Sequence, residues 1–177
     1  MNAARKLAVV IVALGSVSVA QADLIVPFGP QNDVDAATVS EWGFNECYSA
    51  SYAAPLGTDA SGALAECSGD YLMMAARRVG SDMFEVLAAA LWDDVLFDTG
   101  FGNVDVTHSA NGSEWYYTPD EAWGFAGLGD KVQKRGCDTW AMDERDRLCW
   151  QTQDWIGGWR AGNNGWLNYS TDWEKVL

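Results

Sequence analysis

Asp98 stands in Phe97-Asp98-Thr99-Gly100, an aspartate set between a short apolar run and a Thr-Gly turn. Such an aspartate hydrolyses peptides when a second carboxylate shares its proton, an arrangement that takes two lobes or two subunits. The motif occurs once, and Phe101 replaces the small residue usual after the glycine. An aspartate-capped turn after a strand accounts for the same four residues. His108 is the only histidine, with Ser109, Ser113 and Glu114 close by in sequence. A catalytic base needs a nucleophile and an orienting acid that converge in space, and neighbours within one turn seldom do; no Gly-x-Ser-x-Gly elbow is present either. The expectation is a ring hydrogen bond across the loop 107–112. Asp98, Asn103 and Asp105, with the carbonyls between them, offer hard oxygens suited to Ca²⁺, although the EF-hand spacing is absent. No other cofactor is expected. Asp138, Asp143 and Asp146 read as a solvated acidic loop.

Binding chemistry is better represented than reactive chemistry. The chain carries ten tryptophans, at 42, 92, 115, 123, 140, 150, 155, 159, 166 and 173. Trp buries a large area and needs an acceptor for its indole N–H, so a majority are expected in or beside the core. The remainder are candidate stacking platforms for sugar rings or for a partner's cations. Trp155, Trp159 and Trp166 lie in a Gly-rich stretch with Arg160, Asn163 and Asn164. Loops on a rigid scaffold carry binding more often than strands do, so these six residues form the candidate ligand site. Arg77, Arg135, Arg147 and Arg160 read as partners of Asp70, Asp82, Asp94 or Asp130, with a pocket for an acidic sugar as the other reading.

The bulk composition narrows the setting. Arg5 and Lys6 precede an apolar run over 7–19 and then Ala20-Gln21-Ala22, the pattern of a signal peptide spanning 1–22. That run is too short to span a bilayer. Secretion or residence in the periplasm is the expectation, with no membrane insertion of the mature chain. A formal net charge of −14 opposes binding to nucleic acid and to anionic lipid. Cys47, Cys67, Cys137 and Cys149 are the only cysteines, and in an exported chain four cysteines read as two disulfides with three pairings open. The local pairing, Cys47–Cys67 with Cys137–Cys149, is preferred. Zinc is rejected because no C-x-x-C knuckle and only one histidine are available.

The elements that must position these residues are short. In 71–76, Tyr71, Met73 and Ala75 alternate with Leu72, Met74 and Ala76, and both faces are apolar. Apolar runs over 83–90 and 95–97 follow, separated by Gly/Asp turns. This spacing reads as an antiparallel meander whose first strands are central and covered on both sides, with buried helix as the alternative. Asn111-Gly112 is the strongest hairpin signal, ahead of a strand over 114–117. Further strands are expected over 23–28, 122–126, 131–134, 147–150, 158–160 and 172–176. Helical turns are expected within 33–40 and over 60–66, the second capped by Thr58 or Asp59 with Leu64 facing inward. The fold class is mostly β: one antiparallel β-sandwich or jelly-roll-like domain over 42–177, preceded by an edge segment over 23–41, with a small helical segment near the N-terminus stapled by disulfide.

Taken in order, the segments GDYLMMAARRVGSD, VLFDTG, HSANGSEWYY, WGFAGLGD, GCDTW, RLCW, GGWRAG and TDWEKV resemble a secreted module of unassigned function found in bacterial exported proteins and in extracellular proteins of simple animals. The likeness runs over roughly 42–176. It implies an architecture and no established activity. Members carry cysteine at the positions of Ala76 and Ala161, so the resemblance implies a disulfide lost here. The two Cα atoms are then expected within about 7 Å of each other, with Cys47–Cys67 and Cys137–Cys149 as the surviving bridges.

These observations converge on an exported, non-enzymatic binding module whose ligand is an extracellular glycan or a surface protein. The alternatives are a polysaccharide hydrolase, which needs two carboxyls facing across a cleft, and a purely structural extracellular component.

Overall fold

The computed structural model describes residues 23–102, 105–138 and 144–177. The expected signal peptide over 1–22, with Asn103, Trp140 and Asp143, lies outside the described residues. The chain is mostly β and forms two five-stranded antiparallel sheets. The first contains β1 (Gln31–Asp35), β2 (Ser49–Ser51), β3 (Tyr71–Arg78), β4 (Met83–Leu91) and β10 (Trp173–Val176), in the order β1-β4-β3-β10-β2. The second contains β5 (His108–Ala110), β6 (Ser113–Thr118), β7 (Ala122–Gly127), β8 (Leu148–Gln153) and β9 (Ile156–Ala161), as a consecutive meander. Asn111 and Gly112 both take positive φ in the β5–β6 turn, as the hairpin signal requires.

Strand β3 is central and apolar on both faces. Leu72, Met74 and Ala76 join Val86, Ala88 and Ala90 of β4 in a cluster shared with Trp115, Trp123, Phe125, Leu148 and Trp150 of the second sheet. Ala76 and Ala161 are both members of this cluster. Met73 and Ala75 face the other way and pack with Phe84, Leu87 and Val39 under the N-terminal segment. That segment holds α1 (Ala36–Glu41), whose N-cap Asp35 accepts from the Ala37 N–H at 2.8 Å. Residues 23–28, expected as an edge strand, do not pair into either sheet. Pro27 and Pro30 interrupt this stretch, and Ile25 N–H instead donates to Trp42 O. The edge strand is β1, after the second proline.

Two further strand expectations are corrected. Residues 95–97 do not form a strand; Trp92–Val95 is one helical turn, α3, in which Val95 is buried and its carbonyl accepts the Trp123 indole N–H. Residues 131–134 run without ladder pairing into a 3₁₀ turn at Lys134–Gly136. There the Lys134 ammonium is drawn inward to Thr99 Oγ1 and Gly100 O, both at 2.8 Å. The second short helix, α2 (Ser61–Leu64), is smaller than its expected span; Asp59 accepts from Ser61 N–H, and Ala63 is the residue fully buried.

Both disulfides follow the local pairing, with Cα separations of 5.0 Å for Cys47–Cys67 and 5.6 Å for Cys137–Cys149. The second ties the strap between β7 and β8 over the outer face of the second sheet. Residues 138–146 were expected to be a solvated acidic loop, yet Asp138 at its start is buried and paired with the equally buried Arg147 just after its end. Arg147 also pairs with Asp130 and Glu144. Burial raises the Asp138 and Asp130 carboxyls above the ordinary range in spite of that guanidinium.

Tyr52, just after β2, joins the sheets. Its hydroxyl donates to Arg160 O at 3.0 Å and accepts from the Trp150 indole at 3.2 Å, while its carbonyl accepts from Gly158 N–H. A Cβ placed on Gly158 would sit 2.0 Å from the Tyr52 ring, and one on Gly157 would sit 1.9 Å from the Tyr52 carbonyl oxygen. Gly158→Ala is therefore expected to cost stability at or above the upper end of the roughly 1–3 kcal/mol typical of overpacking. Gly62→Ala in α2, where the added methyl meets nothing within 4 Å, should instead gain about 0.5–1 kcal/mol. Urea denaturation of both variants checks the contrast.

Candidate functional site

The reactive-looking residues are engaged in structure. Asp98 Oδ1 accepts from Gly100 N–H at 2.9 Å, which makes the Asp-Thr-Gly stretch a capped turn. Thr99 is buried and bonded to Tyr117 O, with Lys134 and Thr118 on its hydroxyl. His108 does not bond across 107–112; its Nε2 lies 2.7 Å from Asp94 Oδ1 of α3, and Phe97 stacks on the ring at 4.4 Å. Ser109 donates to Glu114, which also accepts from Thr107 and from Gly129 N–H. Those donors hold the Glu114 carboxyl below the usual range against the opposing effect of burial. Among the described residues, Asp98 and Asp105 belong to no group of three potential metal ligands.

The tryptophans divide by sheet face. Trp115, Trp123, Trp150 and Trp173 are buried, Trp42, Trp92 and Trp159 are half-buried, and Trp155 and Trp166 are exposed at 64% and 68%. A register shift in the β8–β9 ladder turns Trp159 to the outer face, where it packs beside the strap. Residues 162–166 fold back so that Leu167 N–H bonds Trp159 O, and Trp166, held at φ +62°, sets its ring 4.9 Å from that of Trp159. Trp155 is in the β8–β9 turn, four residues before Trp159 and so roughly 13 Å along an extended chain.

The expected six-residue site therefore separates. Trp159 and Trp166 form a two-ring ledge, and Asn163 is exposed beside it in sequence. Asn164 is turned inward, donating to Ala161 O and Glu85. Arg160 is withdrawn from the surface: it is buried, and its guanidinium donates to the carbonyls of Gly162, Asp138 and Glu144. Tyr169, 67% exposed, follows closely on the fold-back that carries Trp166. Its position three residues after Trp166 is the sequence signal that places it by that loop.

Sequence reading missed a concavity on the outer face of the first sheet. Its volume is about 490 Å³, with Met73, Ala75, Phe84 and Val176 among its lining residues. Residues 43–47 and 66–71 line it from two further segments, joined by the Cys47–Cys67 bridge. The residues needed to see it come from segments far apart in sequence.

No family model, curated protein or solved structure matches the chain.

One buried group makes stability pH-dependent. Lys175 is fully buried, with its ammonium bonded to Ser51 O at 2.5 Å and Ala54 O at 2.6 Å, and burial pushes its pKa down to about 7. The unfolded chain, with lysine near 10.5, then holds one more proton than the folded chain between those two values. Stability from this group rises with pH across that window and is flat below it. Chemical denaturation at pH 6 to 10 should show the rise in the wild type and a smaller slope in Lys175→Met.

Proposed function

We propose that the chain is an exported β-sandwich binding module whose glycan ligand stacks on the Trp159–Trp166 ledge. The observation that carries this reading is Trp166 itself. A bulky residue in the left-handed region is strained, and here it is kept with its ring exposed and braced against a second indole. A core residue gains burial in return for strain; Trp166 does not. The exposed Trp166 indole, tilted 55° against Trp159, offers an apolar ring face to the C–H side of a pyranose ring, and Asn163 supplies hydrogen bonds at the edge. Two disulfides suit an oxidising compartment, and among the described residues no helix is long and apolar enough to cross a membrane.

The hydrolase alternative gains less support. The raised carboxyls of Asp130 and Asp138 both serve Arg147 under the strap, which is a structural use of a perturbed acid.

Affinity electrophoresis through gels containing soluble polysaccharides tests the reading. Wild type should be retarded by at least one polysaccharide, and Trp166→Ala should lose most of that retardation, about tenfold or more in affinity. Trp155→Ala should change it little. Equal retardation of wild type and Trp166→Ala, or no retardation across the panel, would count against the ledge.

A further inference from the structure

We infer that the cleft on the outer face of the first sheet is a second binding site, for a small organic cation with an apolar body, such as an alkyl- or arylammonium. Its volume of about 490 Å³ falls within the range of small-molecule pockets. The floor is apolar, built by Met73, Ala75, Phe84 and Val176. The rim is acidic: Glu46, Glu66 and Asp70 line the cleft, and no lysine, arginine or histidine does. Glu46 is paired with Arg77, which leaves Glu66 and Asp70 as the rim carboxylates with no ion pair among the described residues. An apolar floor under those two acids selects a positive charge attached to hydrocarbon.

A covalent bond ties the two acidic segments of the rim together. Glu46 and Glu66 immediately precede Cys47 and Cys67, whose Cα atoms the disulfide holds 5.0 Å apart. One trans peptide on each side keeps the two glutamate Cα atoms within about 13 Å. The bridge thus tethers the segment carrying Glu66 and Asp70 to the segment carrying the Arg77-paired Glu46, which lowers the entropy lost on ordering the rim.

The chain already displays this recognition on itself. Arg77 lies beside the cleft with its guanidinium 5.3 Å over the Phe84 ring, donating to Glu46 at 2.9 Å and to Glu174 at 2.8 Å. An aromatic face and a carboxylate that both line the cleft therefore hold a cation beside it. Tyr71 also lines the cleft, together with Glu66 and Asp70, two carboxylates with no ion pair among the described residues. The same two elements, ring and acid, await a cation there. The formal charge of −14 adds long-range attraction for such a ligand.

The test uses isothermal titration calorimetry with three probes of one shape: phenethylammonium, phenethyl alcohol and 3-phenylpropionate. The ammonium should bind at least tenfold tighter than the alcohol, and the carboxylate should not bind. Glu66→Gln/Asp70→Asn, two exposed substitutions compatible with folding, should weaken the ammonium about tenfold at low salt. Cys47→Ser/Cys67→Ser should weaken it as well, while Trp166→Ala should leave it unchanged, which separates this site from the ledge. Equal affinity for ammonium and alcohol, or undiminished binding by the Glu66/Asp70 variant, would overturn the proposal. So would loss of binding in Trp166→Ala with the Glu66/Asp70 variant intact.

Discussion

The seating of Tyr52 against Gly157 and Gly158 is the contact on which the arrangement of the two sheets depends. Tyr52 leaves the first sheet at β2 and enters the second beside β9, where its ring and carbonyl occupy the space that two side chains would otherwise take. Every polar atom it carries inward is matched: N–H to Trp173 O, carbonyl to Gly158 N–H, hydroxyl to Arg160 O and the Trp150 indole. Burial without those partners would cost more than the ring contributes. The joint therefore specifies one approach of the sheets, and alternatives leave a donor or acceptor unpaired.

The same rule governs the buried cations. Lys134, Lys175 and Arg160 are buried among carbonyl and hydroxyl oxygens, and Arg147 alone of these four collects carboxylates. Neutral acceptors satisfy the donors without drawing more charge inside. In a chain with 25 acidic and 11 basic residues, committing basic groups inward leaves the surface acids with few partners. The acidic rim of the cleft is a direct outcome of that distribution. A surface of this kind favours cationic over anionic ligands before any specific contact forms.

Aromatic residues show a corresponding division of labour. Among the described residues four tryptophans are buried, and all four belong to the cluster that holds Phe125, Leu148 and alanines of β3 and β4. Small residues on the first sheet leave room for large ones on the second, the complementarity that close packing requires. Trp159 and Trp166 meet where the chain departs from regular pairing, at the β8–β9 register shift and the fold-back that follows. Regular ladders have no vacancy for an extra indole; a bulge supplies one by turning a residue off the alternation.

Sequence alone determined whatever depends on neighbours along the chain. The alternation in 71–76 marked β3 as covered on both faces because side chains in a strand alternate with period two, and Asn111-Gly112 marked its hairpin because few dipeptides accept two positive φ angles. The local disulfide pairing was preferred from sequence and is the one found, since short loops close at low entropic cost. Tertiary structure decided the rest. Residues 95–97 and 131–134 have strand-like composition, but Val95 is needed as a plug and Lys134 as an internal donor. Arg160 read as the partner of an aspartate or as a ligand-site residue because nothing in its own stretch announces the three carbonyls that surround it. The cleft was invisible for the same reason: its lining is assembled from β3, β4, β10 and two loops joined by one bridge. Period and turn chemistry are local, whereas a concavity exists only after distant segments have met.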